Sequence, residues 1–164
     1  ERSAIRPAAI RLRAAVTSWP VTDRRAGLTE QPVDSFCLRR SDGVAAYNLA
    51  VVVDDAAQQV TQVTRGDDLL TSSGRQAYLA HLLGLEPVEY LHVGLVYNAN
   101  GQRLAKRDQA FAGGALWAAY GGAEGVLGGI GHSLGLAEPG EKLTLPALAE
   151  RYAAGEVRMG DWTV

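Results

Sequence analysis

The stretch that decides the fold is Tyr47-Asn-Leu-Ala-Val-Val-Val-Asp-Asp-Ala-Ala-Gln-Gln-Val-Thr-Gln-Val-Thr-Arg65. Its first part is helical: Leu49, Val52, Val53 and Ala56 recur at the spacing that puts apolar side chains on one helix face, which predicts a helix from Asn48 to Gln58. Its last part, Val60–Arg65, is β-branched and alternating, which predicts a strand. Gly66 ends that strand. Ser72–Leu83 returns to helical periodicity, with Gly84 as its stop. A helix–strand–helix series of this kind belongs to an α/β unit.

Upstream, residues 9–16 alternate and read as a strand, and Val21–Leu28 and Asp34–Arg40 read as two more. Ser41-Asp42-Gly43 is a turn signal, so Phe36–Arg40 and Val44–Tyr47 are expected to pair as a hairpin. Downstream, Leu91–Tyr97 is a short apolar strand and Asn98–Gln102 a polar loop. Residues 109–119, 122–134 and 144–153 read as helices. The expected fold class is therefore α/β, followed by a small helical annex. No internal repeat is present.

The composition suits such a unit. At 164 residues and 47% hydrophobic the chain can bury a core. Its net charge of −2 argues for no dominant electrostatic partner. The first forty residues hold eight arginines against four acids, a local +4 that leaves −6 on the remainder. That asymmetry fits an anionic partner near one end, or simply a solvated basic face. Cys37 is the only cysteine, so no internal disulfide and no thiolate zinc cluster can form; a buried thiol in a reducing, cytoplasmic setting is expected. Residues 113–135 reach membrane-spanning length, but nine glycines, Glu124 and His132 make a spanning helix a poor reading, and no membrane partner is expected.

Few residues carry obvious chemistry. The doublets Asp54-Asp55 and Asp67-Asp68 could hold Mg²⁺, but adjacent helical residues face different ways, which favours structural roles. His81, His92 and His132 have no metal-ligand spacing, and chain order alone asserts no Ser–His–Asp arrangement. The loop Asn98-Ala-Asn-Gly-Gln-Arg-Leu-Ala-Lys-Arg-Asp108 clusters Arg103, Lys106 and Arg107 after a buried strand. Such a loop suits a polyphosphate, or is an exposed basic turn. Tyr47 and Arg65 lie at the ends of elements that could face one crevice at a sheet edge, where an arginine can bind a carboxylate bidentately.

In order along the chain, Leu38–Asp55, Val60–Leu70 and the Arg103-Leu-Ala-Lys-Arg-Asp108 loop resemble the glutamyl-tRNA synthetases. The last of these resembles that family's second signature, Lys-Met/Leu-Ser-Lys-Arg/Ser. The resemblance covers residues 9–112 and is strongest to the short branch, the glutamyl-queuosine tRNA(Asp) synthetases, which lack an anticodon-binding domain. Arg11-Leu-Arg13, Thr22–Gly27 and Val51 within the Tyr47 motif point to that branch, as does the short stretch after Lys106.

The resemblance implies a fold: residues 1–98 as the C-terminal portion of a class I, Rossmann-type catalytic domain, and 99–164 as the signature loop with a helical stem-contact region. It also implies an activity, ATP-dependent activation of glutamate and its transfer to a tRNA, in this branch the queuosine base of tRNA(Asp). Tyr47 and Arg65 would bind glutamate; Arg103, Lys106 and Arg107 would bind ATP; Lys106 would be catalytic, stabilising the pyrophosphate leaving group. Arg103 and Ala105 stand where the family has lysine and serine, which keeps the charge and loses a hydroxyl. The implied cofactors are ATP and Mg²⁺, and the implied state a monomer. Zinc would belong only to an N-terminal part, because neither the His-Ile-Gly-His-like signature nor the zinc-binding cysteines occur here. With Glu1 as the first residue, the chain is expected to be a piece of a longer enzyme that does not activate glutamate alone. The alternatives are a truncated tRNA- or protein-binding module, and glutamyl transfer to a non-tRNA acceptor.

Overall fold

A computed structural model describes residues 7–98, 100–104, 113–155, 157–158 and 160–163. The chain divides into two compact units, Glu1–Val93 and Gly94–Val164.

The first unit is built around the helix–strand–helix series. Helix α1 spans Tyr47–Ala57, a strand spans Gln62–Gly66, and helix α2 spans Leu70–Leu82 after a 3-10 turn at Asp67–Leu69. In chain order the strands are β1 (Ile10–Leu12), β2 (Ser18–Asp23), β3 (Gly27–Pro32), β4 (Phe36–Arg39), β5 (Gln62–Gly66) and β6 (Glu89–Val93). The main sheet has the order β3-β2-β6-β5. Strand β6 runs parallel to both β2 and β5, and β3 is antiparallel to β2. The carboxyl ends of β2, β5 and β6 therefore share one edge of the sheet, the edge where open α/β sheets bind ligands.

A second, two-stranded sheet pairs β1 with β4. Phe36, Val52 and Leu79 form the buried centre between β4, α1 and α2, with Leu12, Leu38, Leu49 and Leu85 packed around it. Helix α2 lies directly on the main sheet. A Cβ at Gly74 would sit 2.7 Å from the carbonyl oxygens of Gln31 and Pro32, so only glycine permits this approach. Trp19 of β2 packs on Tyr78 and His81 of α2, with ring centroids 5.1 and 4.6 Å apart.

Four sequence expectations change here. Val21–Leu28 is not one strand: the chain reverses at Arg24–Ala26, and Asp23 makes the turn by accepting from the amides of Arg25 and Ala26 at 2.9 Å each. Residues 9–16 shorten to Ile10–Leu12, because β1 can pair only along the short β4 and bulges between Ile10 and Arg11. The hairpin after β4 closes as expected, with the Arg40 amide donating to the Val44 carbonyl at 2.8 Å. Its return strand, however, is a single bridge at Ala45, since α1 begins at Tyr47. Cys37 is half-buried rather than buried.

In the second unit β7 (Val96–Tyr97) pairs in parallel with β8 (Trp162–Thr163). The apolar run Leu91–Tyr97 is thus two strands, divided at Gly94, whose Cα lies against Gly160 too closely for any side chain. Asn98–Gln102 forms a turn: the Asn98 side chain accepts from the Asn100 and Gln102 amides, and Tyr97 bridges to Arg103. Helices α3 (Gly113–Tyr120), α4 (Ala123–Ser133) and α5 (Leu145–Ala154) follow near the expected positions. Thr144 caps α5 by accepting from the Ala147 amide. The buried glycines of α4 form its packing face, with Gly131 against Leu143 and Leu148. Arg151 grips Glu141 through paired hydrogen bonds of 2.7 and 3.0 Å. Among the described residues no helix is long and apolar enough to cross a membrane.

Candidate functional site

Arg65 is the penultimate residue of β5, opposite His92 in the parallel register with β6. Its guanidinium is held by four protein acceptors. Nε donates to His92 Nε2 at 3.0 Å, Nη1 to Gln76 Oε1 at 2.7 Å, and Nη2 to the Leu69 carbonyl and Ser73 Oγ at 3.2 Å each. The plane lies over Tyr90, 4.9 Å from the ring centroid. Arginine carries five N–H donors, so one on Nη1 is left beyond these bonds. Every one of the four partners is neutral or a carbonyl, and among the described residues no carboxylate pairs with Arg65. A half-buried cation is thus fixed in place with its charge uncompensated.

The cage extends in both directions. Gln76 Nε2 donates to Asn48 Oδ1 at 3.0 Å, tying α2 to the first turn of α1 beside Tyr47. On the other side Asp23 Oδ2 accepts from both the His92 amide (3.0 Å) and His92 Nδ1 (2.7 Å). Asp23, His92, Ser73 and Gln76 are all buried. Burial alone would raise the Asp23 carboxyl, but hydrogen bonds from Ala26, His92 and Arg25 hold it below its ordinary value of 3.8.

Asp23, His92 and Ser73 have the chain partners of a nucleophilic triad without its function. Ser73 Oγ donates to the Leu70 carbonyl at 2.6 Å and stands 3.5 Å from His92 Nε2, whose lone pair already faces Arg65. With no solvent exposure, the hydroxyl cannot meet a substrate.

Tyr47 opens α1 and is 58% exposed, available to a ligand. Tyr90, buried on β6, carries the Arg65 guanidinium over its ring. Burial is the main cause that pushes the Tyr90 phenol up to about 12. A cavity of about 450 Å³ opens between α1 and α2, with Gln76 and Tyr90 in its wall beside Val51, Val52, Asp55 and Ala77. Two of the residues that touch Arg65 therefore also line a space of ligand size.

Tyr47, at the start of α1, and Arg65, near the end of β5, both lie in the first unit, and Arg65 is linked through Gln76 to Asn48, the residue after Tyr47. Arg103 is exposed in the second unit, on the strand-like return of the Asn98 turn. Lys106 and Arg107 lie outside the described residues. Among the described residues no cluster of three His, Cys, Asp or Glu side chains could hold a metal ion. In the supporting set Asp23, Asn48, Ser73, Gln76 and His92, only His92 was weighed in the sequence, and no role was assigned to it. Their roles come from partners distant in the chain, so the local sequence leaves no signal of them.

Residues 3–116 match the family described as class I tRNA synthetases (E and Q), catalytic domain, and the chain belongs to that family. Among individual proteins, it is 64% identical over 105 residues to the glutamyl-Q tRNA(Asp) synthetase of Nocardia farcinica, covering 64% of this chain and 34% of that one. It is 46% identical over 156 residues to the glutamyl-Q tRNA(Asp) synthetase of Deinococcus radiodurans, covering 87% of this chain and 51% of the relative. The crystal structure of a glutamate tRNA ligase from Elizabethkingia meningosepticum, in complex with its amino acid, superposes with a TM-score of 0.55 at 27% identity, over 65% of this chain and 22% of that one. The chain thus spans about a third and about half of the length of these two curated relatives.

Proposed function

We propose that this chain supplies one wall of the active site of an enzyme that activates glutamate with ATP and transfers it to a tRNA, the acceptor being the queuosine base of tRNA(Asp). One observation carries the reading. Arg65 stands at the carboxyl ends of parallel strands, held by neutral acceptors, with a positive charge that nothing among the described residues neutralises. That is the environment of a carboxylate site. A glutamate carboxylate arriving at Nη1 takes the remaining N–H and the charge. A second, fork-like bond requires Gln76 to yield its own. Tyr47, exposed and next to the Asn48 that bonds Gln76, adds a hydroxyl and a ring wall. The family to which the chain belongs and the names of its relatives support the substrate class.

In this reading the other carboxylate of glutamate attacks the α-phosphorus of ATP, and the bond to the β-phosphate breaks to release pyrophosphate. Lys106, with Arg103 and Arg107, stabilises the leaving charge. Acyl transfer to the tRNA then releases AMP. Mg²⁺ would accompany ATP, but the described residues offer it no ligand cluster, and no step here depends on one. The helices of the second unit are assigned to tRNA stem contact, the enzyme to the cytoplasm, and its state to a monomer. The test is transfer of labelled glutamate by the full-length polypeptide to tRNA(Asp) with and without queuosine. Labelling only of the queuosine-containing tRNA is expected. Equal labelling of both would remove queuosine as the acceptor, and labelling of neither would remove tRNA(Asp).

A further inference from the structure

We infer that Asp23 and His92 are positioning residues for glutamate recognition: the pair aims the Arg65 guanidinium while leaving its charge free for the substrate. This rests on the reading of Arg65 as the carboxylate site and deepens it.

The three groups stand at the ends of three adjacent parallel strands. Asp23 closes β2, His92 stands near the end of β6 and Arg65 near the end of β5. The register sets His92 beside Arg65, and Asp23 beside Tyr90. Asp23 accepts four hydrogen bonds, two from the turn amides and two from His92. These satisfy the acceptor capacity of a carboxylate and leave it little freedom to rotate. Its Oδ2, 2.7 Å from Nδ1, places the imidazole proton on Nδ1. Nε2 is then an acceptor, and it faces Arg65 Nε at 3.0 Å. The Tyr90 ring, stacked on His92 at 5.6 Å and 17°, holds the imidazole plane from one side. The same ring supports the guanidinium at 4.9 Å.

The identity of the residues matters. A carboxylate placed directly on Nε would orient Arg65 equally well, but would neutralise it and compete with the substrate. A neutral imidazole orients without neutralising, and the negative charge is set back by one ring. The remaining partners follow the same rule: Gln76, Ser73 and the Leu69 carbonyl are neutral acceptors. Pure structural support of the β2–β6 junction would require the Asp23–His92 bonds, but not an acceptor aimed at Arg65.

The experiment uses the full-length polypeptide and glutamate-dependent ATP–pyrophosphate exchange. His92→Leu removes the acceptor, whereas His92→Gln retains a carbonyl oxygen near the position of Nε2. The expected result is a rise in the KM for glutamate of about tenfold in His92→Leu, the scale of one charge-assisted hydrogen bond. Its KM for ATP and its kcat should stay within about twofold of the wild type, and His92→Gln should restore most of the loss. A wild-type glutamate KM in His92→Leu, or equal impairment in His92→Gln, overturns the inference. Arg65→Ala is the companion variant. If it raises the glutamate KM and His92→Leu does not, positioning alone fails; if it leaves that KM unchanged, the carboxylate-site reading fails. Should His92→Leu not fold, ¹⁵N-histidine spectra of the wild-type protein decide. His92 should be the Nδ1–H tautomer, with an Nε2 signal that moves on adding glutamate. An Nε2–H tautomer, or a signal indifferent to glutamate, overturns the proposal.

Discussion

Replacing Asp23 by alanine should destabilise the first unit by at least about 3 kcal/mol, the cost of stripping the acceptor from four N–H donors, two of them buried. The figure follows from what the carboxylate holds. His92 donates to it twice, at 3.0 and 2.7 Å, from a residue that is only 2% exposed. Each of those donors would be left buried without an acceptor, at about 1–3 kcal/mol apiece. The amides of Arg25 and Ala26 lie in a turn, where water can replace the lost oxygen, so each adds only about 0.5–1.5 kcal/mol. Asp23→Asn keeps one oxygen and should cost about half as much as Asp23→Ala. The assay is urea unfolding of the full-length polypeptide followed by far-UV circular dichroism. With a slope of about 1–3 kcal/mol/M, Asp23→Ala should unfold at a midpoint at least about 1 M lower. An alanine variant within about 0.5 kcal/mol of the wild type at an unchanged slope would refute the reasoning, because it would mean that His92 finds other partners or that the cluster contributes nothing.

Three further outcomes follow from the same structure. The Asp23 carboxyl is held below 3.8 when folded, so its stabilisation is present above that value and is lost as pH falls through the lower folded one; acid-unfolding curves of Asp23→Asn should lack this component. The Tyr90 phenol is raised to about 12, so it stabilises the fold below pH 10 and ceases to as pH rises through about 12; alkaline difference spectra should show one late-titrating tyrosine that disappears in Tyr90→Phe. Gly74→Ala would push a methyl to within 2.7 Å of two β3 carbonyl oxygens and should cost about 1–3 kcal/mol, read as a lowered Tm.

Much of the first unit was legible because its periodicities are local. Leu49, Val52 and Ala56 mark one face of α1, and the change to alternation at Val60 marks β5 within two residues of its observed start. Tyr47 and Arg65 were readable as site candidates because they stand at the ends of those two elements. What escaped is what pairing over long distances creates. Asp23 and His92 are 69 residues apart, and nothing near either announces the other. The turn after Asp23 has no Asn-Gly or Pro-Gly signal; a side chain makes it, by accepting two amides. Strand β8 is two residues long and exists only because β7 lies beside it. Leu91–Tyr97 read as one strand because its apolar character is continuous, whereas the break at Gly94 is imposed by the close passage of Gly160.

The account turns on Arg65 as the site that holds a glutamate carboxylate. Its most direct test is ATP–pyrophosphate exchange by the full-length polypeptide, measured against glutamate concentration for the wild type and for Arg65→Ala. Exchange that depends on glutamate is expected in the wild type, with a loss of about a hundredfold or more in kcat/KM for glutamate in the variant, since both a charge-assisted bond and an uncompensated charge are removed. Exchange in Arg65→Ala equal to that of the wild type would contradict it.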